Sequence, residues 1–375
     1  MKLYVMRDPT HVPGAELPSP EATPSATPTE ASTINEPGVT PNTGALQSQR
    51  GRRPHNSVQI VEIDLGKLFA DSEASTLKAA NVYERVCGTI PAEMGAGGDM
   101  ALDANEDVAY FRMESPDLAS RLPAGTKIAE PFGPRNMGAG PAGLAGMNLK
   151  TGEIKFIVAV PFQIGHVQTN PWVPGEIVFC WETGGKAPQR TWFVKSDGTG
   201  LRPLYPEAPF EWITHEAVIT KDEVAIAMLG RNRPATAAHT PNPWGPAGTP
   251  DHPSGVGIVN LRTNEMRIVG QVPVGNPGAS IWHVAGSADG RWAAADDFQY
   301  RLWLIDRHSG EMILLSDNGH KKTAADHQHP TFSADGTKIE IQSAMLSADG
   351  RSMNICIVPV PKSWLARTYS EKIAQ

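Results

Sequence analysis

The chain has 375 residues, 33 basic and 40 acidic, with a formal net charge of −7. That balance offers no electrostatic attraction to a nucleic-acid backbone or an anionic membrane, so neither is expected as a partner. Its 40% hydrophobic content suits a globular protein, and it has no run of the roughly 18 to 20 apolar residues that a membrane-spanning helix needs.

The N-terminal stretch MKLYVMRDPT lacks the apolar centre of a signal peptide, so the chain as written is expected to be cytoplasmic unless an upstream segment carries an export signal. Three cysteines, Cys87, Cys180 and Cys356, are too widely spaced for a zinc ribbon or a disulfide framework and are expected as small buried hydrophobes. Glycine (36) and proline (33) are abundant and 3.6-residue apolar periodicity is nearly absent, which predicts short strands joined by turns.

Lys2–Met6 reads as the first strand and SVQIVEIDL, from Ser57, as the second. Between them, residues 9–54 are rich in Pro, Thr, Ser, Ala and Glu. Their apolar content is too low to repay the entropy of ordering, which predicts a disordered insertion. From Asp99, DMALDANEDVAYFR shows a strand, a polar turn and a strand. The layout returns in GHVQTNPWVPGEIVFCWE from Gly165 and THEAVITKDEVAIAML from Thr214. It is clearest in WHVAGSADGRWAAAD from Trp282 and QHPTFSADGTKIEIQS from Gln328, which share H-x3-S-A-D-G followed by a strand. A third strand follows each unit, often with a TG or SG turn and a fourth strand, as in MNLKTGEIKFIVAV and LWLIDRHSGEMILLS.

Four antiparallel strands per repeat is the pattern of a β-propeller blade. Six blades are counted, near 2–90, 99–160, 165–205, 213–272, 281–315 and 327–360, and seven is a common number for the fold. The expected architecture is therefore one all-β propeller domain over residues 1–375, seven-bladed if the N-terminal blade is incomplete, with long surface loops at 131–143 and 231–255.

The first strand of a propeller blade lines the central channel, so equivalent residues of successive blades form a ring. His283 and His329 hold the same repeat position, four residues before the serine of SADG. The weaker copies place His215 and His166 at or near that position, and Asp99 in the second blade. A lone histidine is more often a hydrogen-bonded core or surface residue than a ligand, but that reading does not explain four consecutive repeats in one register. Converging imidazoles suit a borderline divalent metal such as Mn, Fe, Ni or Zn. The H-x-H pair His327-Gln328-His329 puts two of them on one strand face. Ligands from His283, His327 and His329 would leave positions open for a substrate. Trp282 is the tryptophan best placed to stack on a sugar face. His166 either binds a substrate hydroxyl or carboxylate or ties adjacent blades together.

Over roughly residues 140 to 360 the segments GLAGMNLKTGEIKFIVAVPFQIGHVQTNP, EIVFCWE, QRTWFVKSDGTG, THEA, HVAGSADGRW and HQHPTFSADGTKI resemble the oligogalacturonate lyases of polysaccharide lyase family 22. Those are seven-bladed β-propellers with a metal-dependent site. The resemblance implies a manganese ion held by His283, His327 and His329. The family's fourth ligand, a glutamine just upstream of the pair, has no counterpart in this chain, which has Thr323, Ala324 and Ala325 there. It further implies that His215, in THEA, is the catalytic base and that Arg190, in QRTWFV, is its partner. The implied substrate is a uronic-acid oligosaccharide, cleaved by β-elimination. Two alternatives stand beside this reading: a lyase for a rhamnose–glucuronate or ulvan-type linkage, and a noncatalytic propeller that binds partners. A serine hydrolase is disfavoured, because no G-x-S-x-G nucleophile elbow is present.

Overall fold

The structure, a computed structural model, describes residues 1–9, 56–131, 137–183, 187–207, 211–229, 254–272, 281–317, 328–350 and 352–369. Residues 10–54 of the expected insertion, 132–136 and 231–253 of the two expected loops, and His327 lie outside the described residues.

Among the described residues the strands fall into six antiparallel meanders whose limits follow the six sequence repeats. The first contains Lys2–Arg7 (β1), Val58–Asp64 (β2) and Glu84–Ile90 (β3). The second contains Met100–Leu102 (β4), Val108–Met113 (β5), Ala139–Asn148 (β6) and Ile154–Phe162 (β7). The third has Ile164–Thr169 (β8), Glu176–Trp181 (β9), Thr191–Lys195 (β10) and Arg202–Pro203 (β11). Trp212–Thr220 (β12), Glu223–Leu229 (β13), Ser254–Asn260 (β14) and Met266–Val272 (β15) make the fourth. Ile281–Gly286 (β16), Trp292–Asp297 (β17), Arg301–Asp306 (β18) and Met312–Asp317 (β19) make the fifth. The sixth has three strands, Thr331–Phe332 (β20), Lys338–Ser343 (β21) and Asn354–Pro359 (β22). Strands β1 and β2 pair antiparallel, from Lys2 opposite Asp64 to Arg7 opposite Gln59.

The chain divides into two compact units. One is Met1–Val167 with Glu182–Gly185 and Ser196–Gly198; the other is Gln168–Trp181, Lys186–Lys195 and Thr199–Gln375. In the first, Ile60, Phe111, Leu118 and Met147 are fully buried in one cluster that joins the first two sheets.

In the second unit the period-2 alternation of strand side chains explains how a sheet buries both faces. Along β13, Val224, Ile226 and Met228 join a cluster with Val178 and Phe193 of the third sheet, while Ala225 and Ala227 face Ile281 and Val284 of the fifth. Along β17, Ala293 and Ala295 share that second cluster, whereas Trp292 and Ala294 pack on Ile339 and Ile341 of β21. The sixth sheet ends this stack, so Lys338, Glu340 and Gln342, which alternate with its buried isoleucines, are exposed.

The SADG repeat has one physical form in both copies. Ser287 donates its hydroxyl to Asp289 at 2.6 Å and accepts the N–H of Trp292 at 2.9 Å; Ser333 does the same with Asp335 at 2.6 Å and Lys338 at 3.0 Å. Gly290 and Gly336 close the turns at φ of 76° and 66°, in the left-handed region that a side chain disfavours. The three cysteines are buried and none forms a disulfide. A helix the periodicity did not announce, Leu65–Glu73 (α1), follows β2; Asp64 caps it by accepting the Lys67 N–H at 3.0 Å, and it buries no residue. No helix among the described residues is long and apolar enough to cross a membrane.

Candidate active site

Backbone irregularities at equivalent places in two sheets aim the histidines of the second unit. Where β12 pairs with β13, Ile213 lies opposite Met228 and Glu216 opposite Ile226, so Thr214 and His215 together face the single residue Ala227. Where β16 pairs with β17, Ile281 lies opposite Asp297 and Val284 opposite Ala295, so Trp282 and His283 face only Asp296. An extra residue of this kind bends the strand and redirects a side chain. His329, at the matching repeat position, is turned by another device, a left-handed backbone at φ 46°. Non-glycine residues held there gather at functional sites.

The outcome is a cluster of three imidazoles. The ring of His283 lies 4.1 Å from that of His215 and 3.8 Å from that of His329, centroid to centroid, with His215 and His329 6.3 Å apart. All three line a cavity of about 350 Å³, together with Gln168, Glu216 and Phe332. The hydrogen bonds define which ring nitrogen does what. Nδ1 of His215 lies 2.7 Å from the Trp282 carbonyl, which can only accept, so that nitrogen carries the proton and Nε2 carries the lone pair. Nδ1 of His283 lies 2.7 and 2.9 Å from the two oxygens of Asp296, with the same consequence. Two imidazoles whose Nδ1–H is held by an acceptor, grouped with a third, make a donor set that in its neutral form fits a borderline divalent ion.

Of the residues expected at the site, the structure brings together His215, His283 and His329, with Trp282 packed on the cluster. Trp282 stacks at 4.9 Å on His283 and at 4.5 Å on Phe298, so its stacking partners here are protein rings. Arg190 is 4% exposed and lies 3.7 Å from Glu216, whose carboxylate is wholly buried. Its pairing is thus internal, in place of the exposed salt bridge that is the ordinary fate of a strand arginine. Glu216 lines the cavity and Arg190 does not. His166 belongs to the first unit, where its left-handed backbone (φ 49°) donates an N–H to Asp99 at 2.6 Å and its Nε2 lies 3.3 Å from Glu182. His308 stands outside the cluster and rests on Tyr369 at 4.7 Å.

Sequence reasoning misses three residues. Asp296 lies within WAAAD and Glu216 within THEA, where no local pattern marks either. Gln168 was likewise passed over, although its side chain donates to the Glu216 carbonyl at 2.6 Å and accepts the Val218 N–H at 3.2 Å, holding β12 beside the cavity.

No protein-family profile matches the sequence, and no curated protein matches it. Solved structures do. One of an oligogalacturonate lyase in complex with manganese aligns over 82% of this chain and 75% of its own, with a TM-score of 0.58 and 17% identity. One of an oligogalacturonate lyase from Vibrio parahaemolyticus aligns over the same shares, with a TM-score of 0.59 and 17% identity. The chain has the β-propeller fold of these lyases. At this identity the likeness establishes the fold, and the chemistry rests on the residues of the cavity.

Proposed function

We propose that this protein is a metal-dependent lyase that cleaves uronic-acid glycosides by β-elimination, with oligogalacturonate as substrate and manganese as the ion. The observation that carries the reading is the convergence of His215, His283 and His329 on one cavity, two of them with Nδ1 already committed to an acceptor. The manganese-bound lyase that shares the fold supports the choice of ion and substrate.

The roles follow from the atoms. His283 through Nε2, with His329, would hold the ion, and His327 of the H-x-H pair would complete the histidine set. When bound there, the ion would supply Lewis-acid stabilisation of negative charge on the uronate carboxylate. His215 is the base: its Nδ1–H is held by Trp282, so its Nε2 takes the proton, and the Trp282 carbonyl then steadies the imidazolium. Arg190 is assigned to the negative charge that develops on the substrate, acting from behind its partner Glu216, which lines the cavity where Arg190 does not.

Each elimination creates a conjugated double bond, so the test is the near-ultraviolet absorbance of the unsaturated product. Purified protein would be given a panel of uronic-acid oligosaccharides, with added Mn²⁺ or with chelator. A chelator-sensitive rise on oligogalacturonate is the expected result. A rise only on a glucuronate linkage would keep the mechanism and change the substrate, and no rise on any substrate would overturn the proposal.

A further inference from the structure

We propose that Asp296 is the positioning residue of the histidine cluster, one carboxylate that sets the proton on His283 and ties the strand of His329 to it. The inference rests on the reading that the cluster binds a divalent ion.

Asp296 is 1% exposed, at the end of β17. A buried carboxylate is costly unless its oxygens are met by donors, and here they come from two neighbouring segments. Oδ1 accepts the His283 backbone N–H at 2.6 Å and shares the His283 Nδ1–H with Oδ2. Oδ2 also accepts the backbone N–H of Gln328 at 3.1 Å and of His329 at 3.3 Å.

The β16 bulge makes the first half possible, because it leaves the His283 N–H opposite a side chain instead of a strand carbonyl. The second half concerns a left-handed residue at the head of a two-residue strand, which has few ladder bonds of its own to hold it. With the carboxylate in place, the ring proton of His283 stays on Nδ1 and the lone pair on Nε2. Asp296 thus acts through the two histidines and touches neither ion nor substrate.

The test uses the full chain and two readouts. Long-range ¹H–¹⁵N correlation of histidine-labelled, metal-free protein shows which ring nitrogen of His283 is protonated, with H283Q to assign the signals. Loss of the free Mn²⁺ resonance signal on titration gives the affinity. Wild type should show His283 as the Nδ1–H tautomer. D296A should lose that preference and bind Mn²⁺ about 10- to 100-fold more weakly. D296N, which keeps one oxygen for the ring proton, should fall between. D306N serves as the control: it perturbs a buried carboxylate at the opposite end of the same sheet, held by Arg367 and Tyr369, and should change neither readout. Should D296A fail to fold, D296N decides, and a wild-type affinity there overturns the proposal. D296A with an unchanged tautomer or unchanged affinity overturns it as well. If wild type binds no Mn²⁺, the metal-dependent reading fails on its own, and the tautomer measurement still decides whether Asp296 sets His283.

Discussion

Glu62 in the first unit and Asp296 in the second are both buried carboxylates that collect donors from neighbouring strands. Glu62 collects Lys2 at 3.0 Å, Arg85 at 2.6 Å and the Tyr4 hydroxyl at 3.1 Å. The guanidinium of Arg85 holds its carboxyl down at about 2, Lys2 and Tyr4 add to the effect, and burial opposes it. Two of those donors are permanent cations, so the group is complete as a structural tie. Asp296 instead collects backbone N–H groups and one imidazole. An imidazole has a second nitrogen, so under the proposed function the same kind of tie orients a metal ligand, where in the first unit it only joins strands.

The strongest way to break this contrast is to remove a ring from the cluster. H329A should lose both Mn²⁺ binding and turnover, read by titration and by product absorbance, and retention of both would detach the residue from the site. H215A should keep the ion and lose turnover, by about 10²- to 10⁴-fold for a general base; a near-normal rate would remove His215 from the mechanism.

A smaller effect concerns stability. E216A takes away the carboxylate that lies 3.7 Å from the buried Arg190 guanidinium, and breaking a buried pair this way costs about 3–5 kcal/mol, measurable by urea unfolding. A midpoint equal to wild type would show that the pair contributes nothing to stability.

The smallest effect belongs to Glu62. Its folded carboxyl lies below the unfolded value of about 4.3, so its contribution is complete above that pH and is lost as the pH falls toward about 2. E62Q should therefore flatten the acid limb of the stability curve while leaving Mn²⁺ affinity unchanged. An acid limb like that of wild type would contradict the structural role.

Much of the second unit was legible in the sequence because its signals are local. H-x3-S-A-D-G specifies a strand, a Ser–Asp turn with a left-handed glycine, and a second strand, so His283 and His329 could be placed in one register by counting. Asp296 could not, because its role depends on a bulge and on cross-strand neighbours 13 and 32 residues away. The Arg190–Glu216 pair was half legible: both residues lay inside quoted motifs, but only the fold shows that they neutralise each other in the interior. Helix α1 went unseen because its apolar face, Leu65, Leu68 and Phe69, spans little more than one turn, too short for a helical period to stand out.

The most direct test of the account is anomalous diffraction at the manganese absorption edge from crystals soaked in Mn²⁺. The account predicts a peak in the cavity within bonding distance of Nε2 of His283 and of the His329 ring. No peak there, or one bound away from these histidines, would contradict it.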